Sequence, residues 1–111
     1  MIESISPAQL QQWLADAASG GREAPVVVDV REPWEHAHVS VAHAVHIPMQ
    51  TVPARLAELD PARAHVLMCH HGMRSYRVAE FLAQAGFERL YNLDGGIDAW
   101  AADVDPSLAR Y

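Results

Sequence analysis

A single α/β domain, built on a central, largely parallel β-sheet flanked by helices, is the architecture this sequence predicts. Three observations predict it. Residues 25–30 and 65–69 form apolar, β-branched runs with no polar alternation, the pattern of strands buried on both faces. Apolar residues at helical spacing separate such runs, and strands alternating with helices in short units imply a parallel sheet. The chain has 111 residues, enough for one compact domain, 1–111, around one hydrophobic core.

Each element has its own signal. Ser6-Pro7-Ala8-Gln9 is a helix start, with a serine cap, proline at the first helical position and glutamine three residues after the cap. Leu10, Trp13, Leu14 and Ala17 continue it at helical spacing, and Gly20-Gly21 stops it. The strand at 25–30 ends where Arg31-Glu32-Pro33-Trp34-Glu35 turns polar and brings a proline. Residues 44–48 form a short strand closed by Pro48, and Leu56 and Leu59 mark a helical turn ending at Asp60-Pro61. After the strand at 65–69, a helix begins at Arg74, with Val78, Phe81, Leu82 and Ala85 as its apolar stripe and Gly86 as its cap. Residues 89–93 form a further strand, and Gly95-Gly96 turns into a short helix ending near Trp100. The tail from Ala101 to Tyr111 has no clear period, and Trp13, Trp34 and Trp100 are expected in the core or at its rim.

Composition narrows the function. Half the residues are apolar, a fifth are charged and the formal net charge is −6, which argues against a nucleic-acid or anionic-membrane partner. No apolar run approaches a membrane span, and the first residues lack the basic and apolar regions of a signal peptide. One cysteine cannot form an internal disulfide, so a reducing, cytoplasmic setting is expected. No nucleotide-binding glycine pattern is present, and no organic cofactor or metal is expected. Oligomeric state is not legible.

That cysteine is the most informative residue. Cys69 follows a strand and is separated from Arg74 by His70, His71, Gly72 and Met73. A loop this short must curl before a helix, and Gly72 permits the curl. The N–H groups of His70 through Ser75 then converge above the sulfur, favouring a thiolate nucleophile and a small anion. His70 and His71 offer positive charge near neutral pH, Arg74 offers a planar fork to an oxyanion, and Ser75 adds a hydroxyl. Ligands of such sheets bind at the carboxyl ends of the strands, where Cys69 sits.

Three segments resemble the rhodanese-like sulfurtransferases: Cys69-His70-His71-Gly72-Met73-Arg74-Ser75 their active-site loop, Asp29-Val30-Arg31-Glu32-Pro33-Trp34-Glu35 their Asp-Val-Arg-Glu segment, and Asn92-Leu93-Asp94-Gly95-Gly96-Ile97-Asp98-Ala99-Trp100 their closing Gly-Gly-x-x-x-Trp segment. The resemblance implies that Cys69 accepts a sulfane sulfur from a small anionic donor such as thiosulfate, becomes a persulfide and passes the sulfur to a thiol, cyanide or a protein cysteine. It implies that the amides of His70 to Ser75 bind the persulfide and leaving anion, that Arg74 holds the donor, and that Asp29 and Arg31 support the loop. One departure stands out: the family's Gly-His-Ile-x-Gly-Ala aligns with Val39-Ser40-Val41-Ala42-His43-Ala44.

Three rival readings fit parts of the sequence. Cysteine phosphatases and arsenate reductases place the same residue types around a larger cradle, the phosphatases with five residues between cysteine and arginine. A non-catalytic binding module on the same fold would be expected to lack the cysteine. A metal site among His36, His38, His43 and His46 is the third, weakened by the single cysteine.

Overall fold

The computed structural model describes residues 1–111. In chain order the elements are β1 (Ile2–Ile5), α1 (Pro7–Ala18), β2 (Val26–Asp29), α2 (Pro33–His38), β3 (Val45–His46), β4 (His65–Met68), α3 (Met73–Gln84), β5 (Leu90–Leu93) and α4 (Gly96–Asp103), with 3₁₀ segments at Met49–Thr51 and Pro53–Glu58. The sheet order is β1-β5-β4-β2-β3, and every pair is parallel. β4 lies at the centre, so Cys69 leaves the middle of the sheet at its carboxyl edge.

Alternation along β2 and β4 divides the core into two layers. Val27, Val66 and Met68 face Leu10, Trp13, Ile97 and Trp100, which come from α1 and α4. Val28, Val30, Leu67 and Cys69 face Val78, Ala79 and Leu82 of α3. Both faces are covered, which is why the two central strands carry no polar alternation. Burying each large side chain contributes roughly 1.5–3 kcal/mol, so the two layers supply the main stabilising term.

The expected α/β architecture is present, and so is the α1 capping box: Gln9 N–H donates to Ser6 Oγ at 3.1 Å and Ser6 N–H to Gln9 Oε1 at 2.9 Å. Two elements are additional. β1 adds an edge strand to β5, in register Ile2 with Leu90. It is short and mostly exposed, so it leaves no apolar signature. α2 occupies the segment expected to be a polar connection. Its signals are Pro33 at the first position and Glu35 three residues after Glu32, whose N–H donates to Glu35 Oε1 at 3.0 Å. It has too few turns to show a stripe.

Other differences are local. The turn at 52–59 is 3₁₀ rather than α, α3 starts at Met73 rather than Arg74, and α4 continues past Trp100 to Asp103. The apolar stripe of α3 is narrower than expected, with Phe81 and Ala85 at the surface. Trp13 and Trp100 are buried, but Trp34 is 61 % exposed because α2 lies outside both layers. Val39 and Val41 anchor the departing 39–44 segment in the core, whereas Ser40 is exposed and the His43 ring packs 5.5 Å from Trp100. The tail is not loose: Val104, Leu108 and Tyr111 pack on the α1–α4 side of the core.

His65 is fully buried in β4, with Nδ1 2.9 Å from the Arg63 carbonyl, Nε2 unpartnered and the ring 5.1 Å from Phe87. The Arg63 contact fixes the proton on Nδ1. Burial pushes His65 below its ordinary value of 6.5. The unfolded chain therefore takes up this proton first, and stability falls as pH drops through 6.5. Urea midpoints measured between pH 7 and 5 should fall for the wild type and fall less for His65→Leu. Parallel profiles would remove His65 as the cause.

Candidate active site

The cysteine loop is aimed from behind. β4 ends at Met68, and Ile97 N–H of α4 donates to the Cys69 carbonyl at 2.8 Å while Asp98 N–H donates to the His70 carbonyl at 3.2 Å. The first amides of α4, which lack helical acceptors, are thus satisfied by the loop. With its carbonyls turned to α4, the loop can present N–H groups on the other side. A Cβ on Gly96, whose φ is +60°, would strike the Cys69 and His70 carbonyls. Gly72 precedes α3 with φ +109°, a conformation that favours glycine.

Cys69 Sγ accepts from Gly72 N–H at 3.0 Å. The N–H groups of His70, His71, Met73, Arg74 and Ser75 meet no acceptor within the protein. Converging amides were expected with the thiol at their mouth. The structure instead buries Cys69 beneath the loop at 1 % exposure, because the side chain faces the α3 layer of the core.

Ser75 Oγ lies 3.3 Å from Cys69 Sγ and 2.6 Å from Asn92 Oδ1, while Asn92 Nδ2 donates to the Gly72 carbonyl at 2.9 Å. The hydroxyl has one proton to give. The Asn92 amide is oriented by Gly72, so its oxygen faces Ser75 and takes that proton in the shorter contact. A protonated Cys69 then donates to Ser75 Oγ; a thiolate competes with Asn92 for the hydroxyl. Asn92 was not anticipated. Its signal is a polar residue inside an apolar strand, paired in register with Leu67 of the cysteine strand.

Arg74 departs from expectation. Its Nη1 and Nη2 donate to Glu35 Oε1 and Oε2 of α2 at 2.6 and 2.9 Å, so its fork is filled by a carboxylate of the protein itself. Glu35 is 3 % exposed and also accepts from the Tyr111 hydroxyl at 2.8 Å. The Arg74 guanidinium holds the Glu35 carboxyl down to about 2, and Glu35 in turn raises Arg74. Arg31 Nη1 donates to the Tyr111 hydroxyl at 2.9 Å, and Arg31 Nη2 and Nε bind the Asp29 carboxylate at 2.7 and 2.9 Å in a fully buried pair. Asp29, Arg31, Tyr111, Glu35 and Arg74 therefore form one continuous polar chain from the end of β2 to the start of α3.

His70 contributes less charge than expected. The His70 ring stacks 3.9 Å from both His71 and Tyr111, and burial, followed by the neighbouring His71, lowers its affinity for a proton. His71 is exposed, with Nε2 3.9 Å from Asp98 Oδ2. Met73 is exposed, so only its backbone takes part in the loop. His36, His38, His43 and His46 do not gather: His36 stacks on His46 at 4.2 Å, His38 meets Tyr111 edge-on and His43 meets Trp100. Metal-capable atoms approach within 4.8 Å at His70, His71 and Asp98 instead, where both Asp98 oxygens already accept from Arg110 at 3.0 and 3.1 Å.

A family model described as a rhodanese-like domain matches residues 6–103. A protein of Allochromatium vinosum named "Sulfurtransferase" is 38 % identical over 109 residues, spanning 98 % of this chain and 97 % of its own. One from Bacillus subtilis named "Putative sulfurtransferase YtwF" is 36 % identical over 106 residues, spanning 95 % and 96 %. The crystal structure of a rhodanese-like domain protein from Staphylococcus aureus superposes with a TM-score of 0.81 at 29 % identity, covering 98 % of each chain.

Gly96 and Gly86 make a paired test of the loop's support. Both have positive φ, but a Cβ at Gly86 meets nothing within 4 Å. Gly86→Ala should cost roughly 1–2 kcal/mol through backbone strain alone. Gly96→Ala adds collision with the loop carbonyls and should cost at least ~2 kcal/mol more by denaturant unfolding. Equal losses would mean that α4 does not hold the loop by close approach.

Proposed function

The chain belongs to the rhodanese-like domain family, and from that membership we propose that it is a sulfurtransferase working by two displacements at Cys69. The observation that carries this reading is the Cys69 sulfur, set beneath a loop whose amides are free to accept negative charge. The thiolate attacks the outer sulfur of a donor such as thiosulfate. A bond forms between Cys69 Sγ and that sulfur, the donor S–S bond breaks, and sulfite leaves with the bonding pair. The Cys69 persulfide carries its charge on the terminal sulfur, where amide dipoles stabilise it without reorganising. A thiol, cyanide or protein-cysteine acceptor then attacks the terminal sulfur, and Cys69 leaves as thiolate.

Within this scheme Gly72 N–H steadies the sulfur and Ser75 supplies a hydroxyl beside it. His70, His71, Met73 and Arg74 contribute backbone amides to the persulfide site. The four-residue spacing from Cys69 to Arg74 favours one transferred sulfur over phosphate or arsenate, which need a wider ring. The chemistry needs no metal or organic cofactor. No helix is long and apolar enough to cross a membrane, and a cytoplasmic location belongs to this proposal.

Reduced protein incubated with thiosulfate should gain the mass of one sulfur atom, reversibly with dithiothreitol. Cys69→Ser should fold normally by circular dichroism, gain nothing and lose at least ~10³-fold in turnover, as expected when a covalent nucleophile is removed. Turnover at the wild-type rate in that variant would falsify the mechanism.

A further inference from the structure

Arg74 is the only arginine in the cysteine loop, yet its charge is already matched. Glu35 takes both Nη groups, lies buried at the base of α2 and is locked by the Tyr111 hydroxyl. Held to about 2, its carboxyl is ionised at any working pH. His70 resists protonation, and the chain as a whole carries −6. An incoming anion therefore meets a near-neutral ion pair beside loop amides, not a free guanidinium. Amide dipoles supply partial charges only, and the loop keeps no unpaired guanidinium to answer a second full negative charge on the donor.

Building on sulfur transfer at Cys69, we propose that Glu35 is a specificity-determining residue. By occupying Arg74 it turns the site from doubly charged donors, such as thiosulfate, towards sulfane donors carrying a single negative charge, such as alkanethiosulfonates. With methanethiosulfonate, a bond forms between Cys69 Sγ and the terminal sulfur. The donor S–S bond breaks, and methanesulfinate leaves with the electron pair.

Thiosulfate and methanethiosulfonate have nearly the same shape and differ by one charge, so they isolate the effect. The quantity to measure is the ratio of their kcat/KM values, thiosulfate over methanethiosulfonate, in the wild type, Glu35→Gln and the double variant Glu35→Gln/Arg74→Met. Glu35→Gln frees the guanidinium and should raise the ratio roughly tenfold at low salt, with the gain shrinking at high salt. The double variant removes a neutral pair and should return the ratio to that of the wild type. A ratio unmoved by Glu35→Gln in a folded protein overturns the proposal. So does a double variant that selectively loses thiosulfate, because Arg74 would then be serving the donor directly. Should Glu35→Gln fail to fold, the double variant, which leaves no buried charge unpaired, decides the matter. Failure of both donors to add sulfur to wild-type Cys69 would refute sulfur transfer itself and this inference with it. Sulfur added by both, with an unchanged ratio, refutes only the role of Glu35.

Discussion

Two backbone hydrogen bonds set the direction in which the cysteine loop faces. Ile97 and Asp98 open α4 and donate to the carbonyls of Cys69 and His70. Each bond solves two problems together, satisfying a helix N–H that has no partner in its own helix and a carbonyl in a tight loop. The loop is left with its N–H groups for the opposite side, where the sulfur lies. Backbone approach this close tolerates no side chain at Gly96, and the curl that completes the loop needs the positive φ of Gly72. The two glycines sit on different elements but serve one constraint.

The sulfur is polarised by a second layer of contacts that reaches across the sheet edge. Asn92 of β5 holds both Gly72 and Ser75, the two residues in contact with Sγ. On the other flank, the polar chain from Asp29 to Arg74 joins β2, α2, the tail and α3. Buried ion pairs contribute little net stability, because desolvation offsets most of the Coulomb gain. Their consequence here is geometric. Arg31 is pinned by Asp29, by Tyr111 and by the carbonyls of Glu35 and Val39, so it fixes α2 against the end of β2. α2 in turn brings Glu35 to Arg74. A residue that sequence logic assigns to a ligand is thereby engaged with its own protein.

The fold was legible where its physics is local or periodic. The apolar runs of β2 and β4 declare strands covered on both faces, the serine–glutamine box declares the start of α1, and the strand–loop–helix order places Cys69 at the carboxyl edge of a parallel sheet. β1 and α2 were not legible because neither has a repeating apolar face: β1 gains its stability from pairing with β5, and α2 from Arg31 and Glu35. Trp34 and Phe81 show the limit of composition, since their exposure depends on which side of a helix meets the sheet.

The sequence by itself determined the candidate nucleophile, the curl of its loop, the four-residue spacing to Arg74 and the layered α/β frame, because each depends on residues close together in the chain. Tertiary structure alone decided how charge is distributed at the site. Glu35 and Arg74 are 39 residues apart, Arg31 and Tyr111 are 80 apart, and Ser75 and Asn92 are 17 apart. Nothing in local propensity encodes such pairings. They arise when the order of strands in the sheet brings the ends of β2, β4 and β5 to one edge, where each charge and each hydroxyl proton goes to the partner within reach.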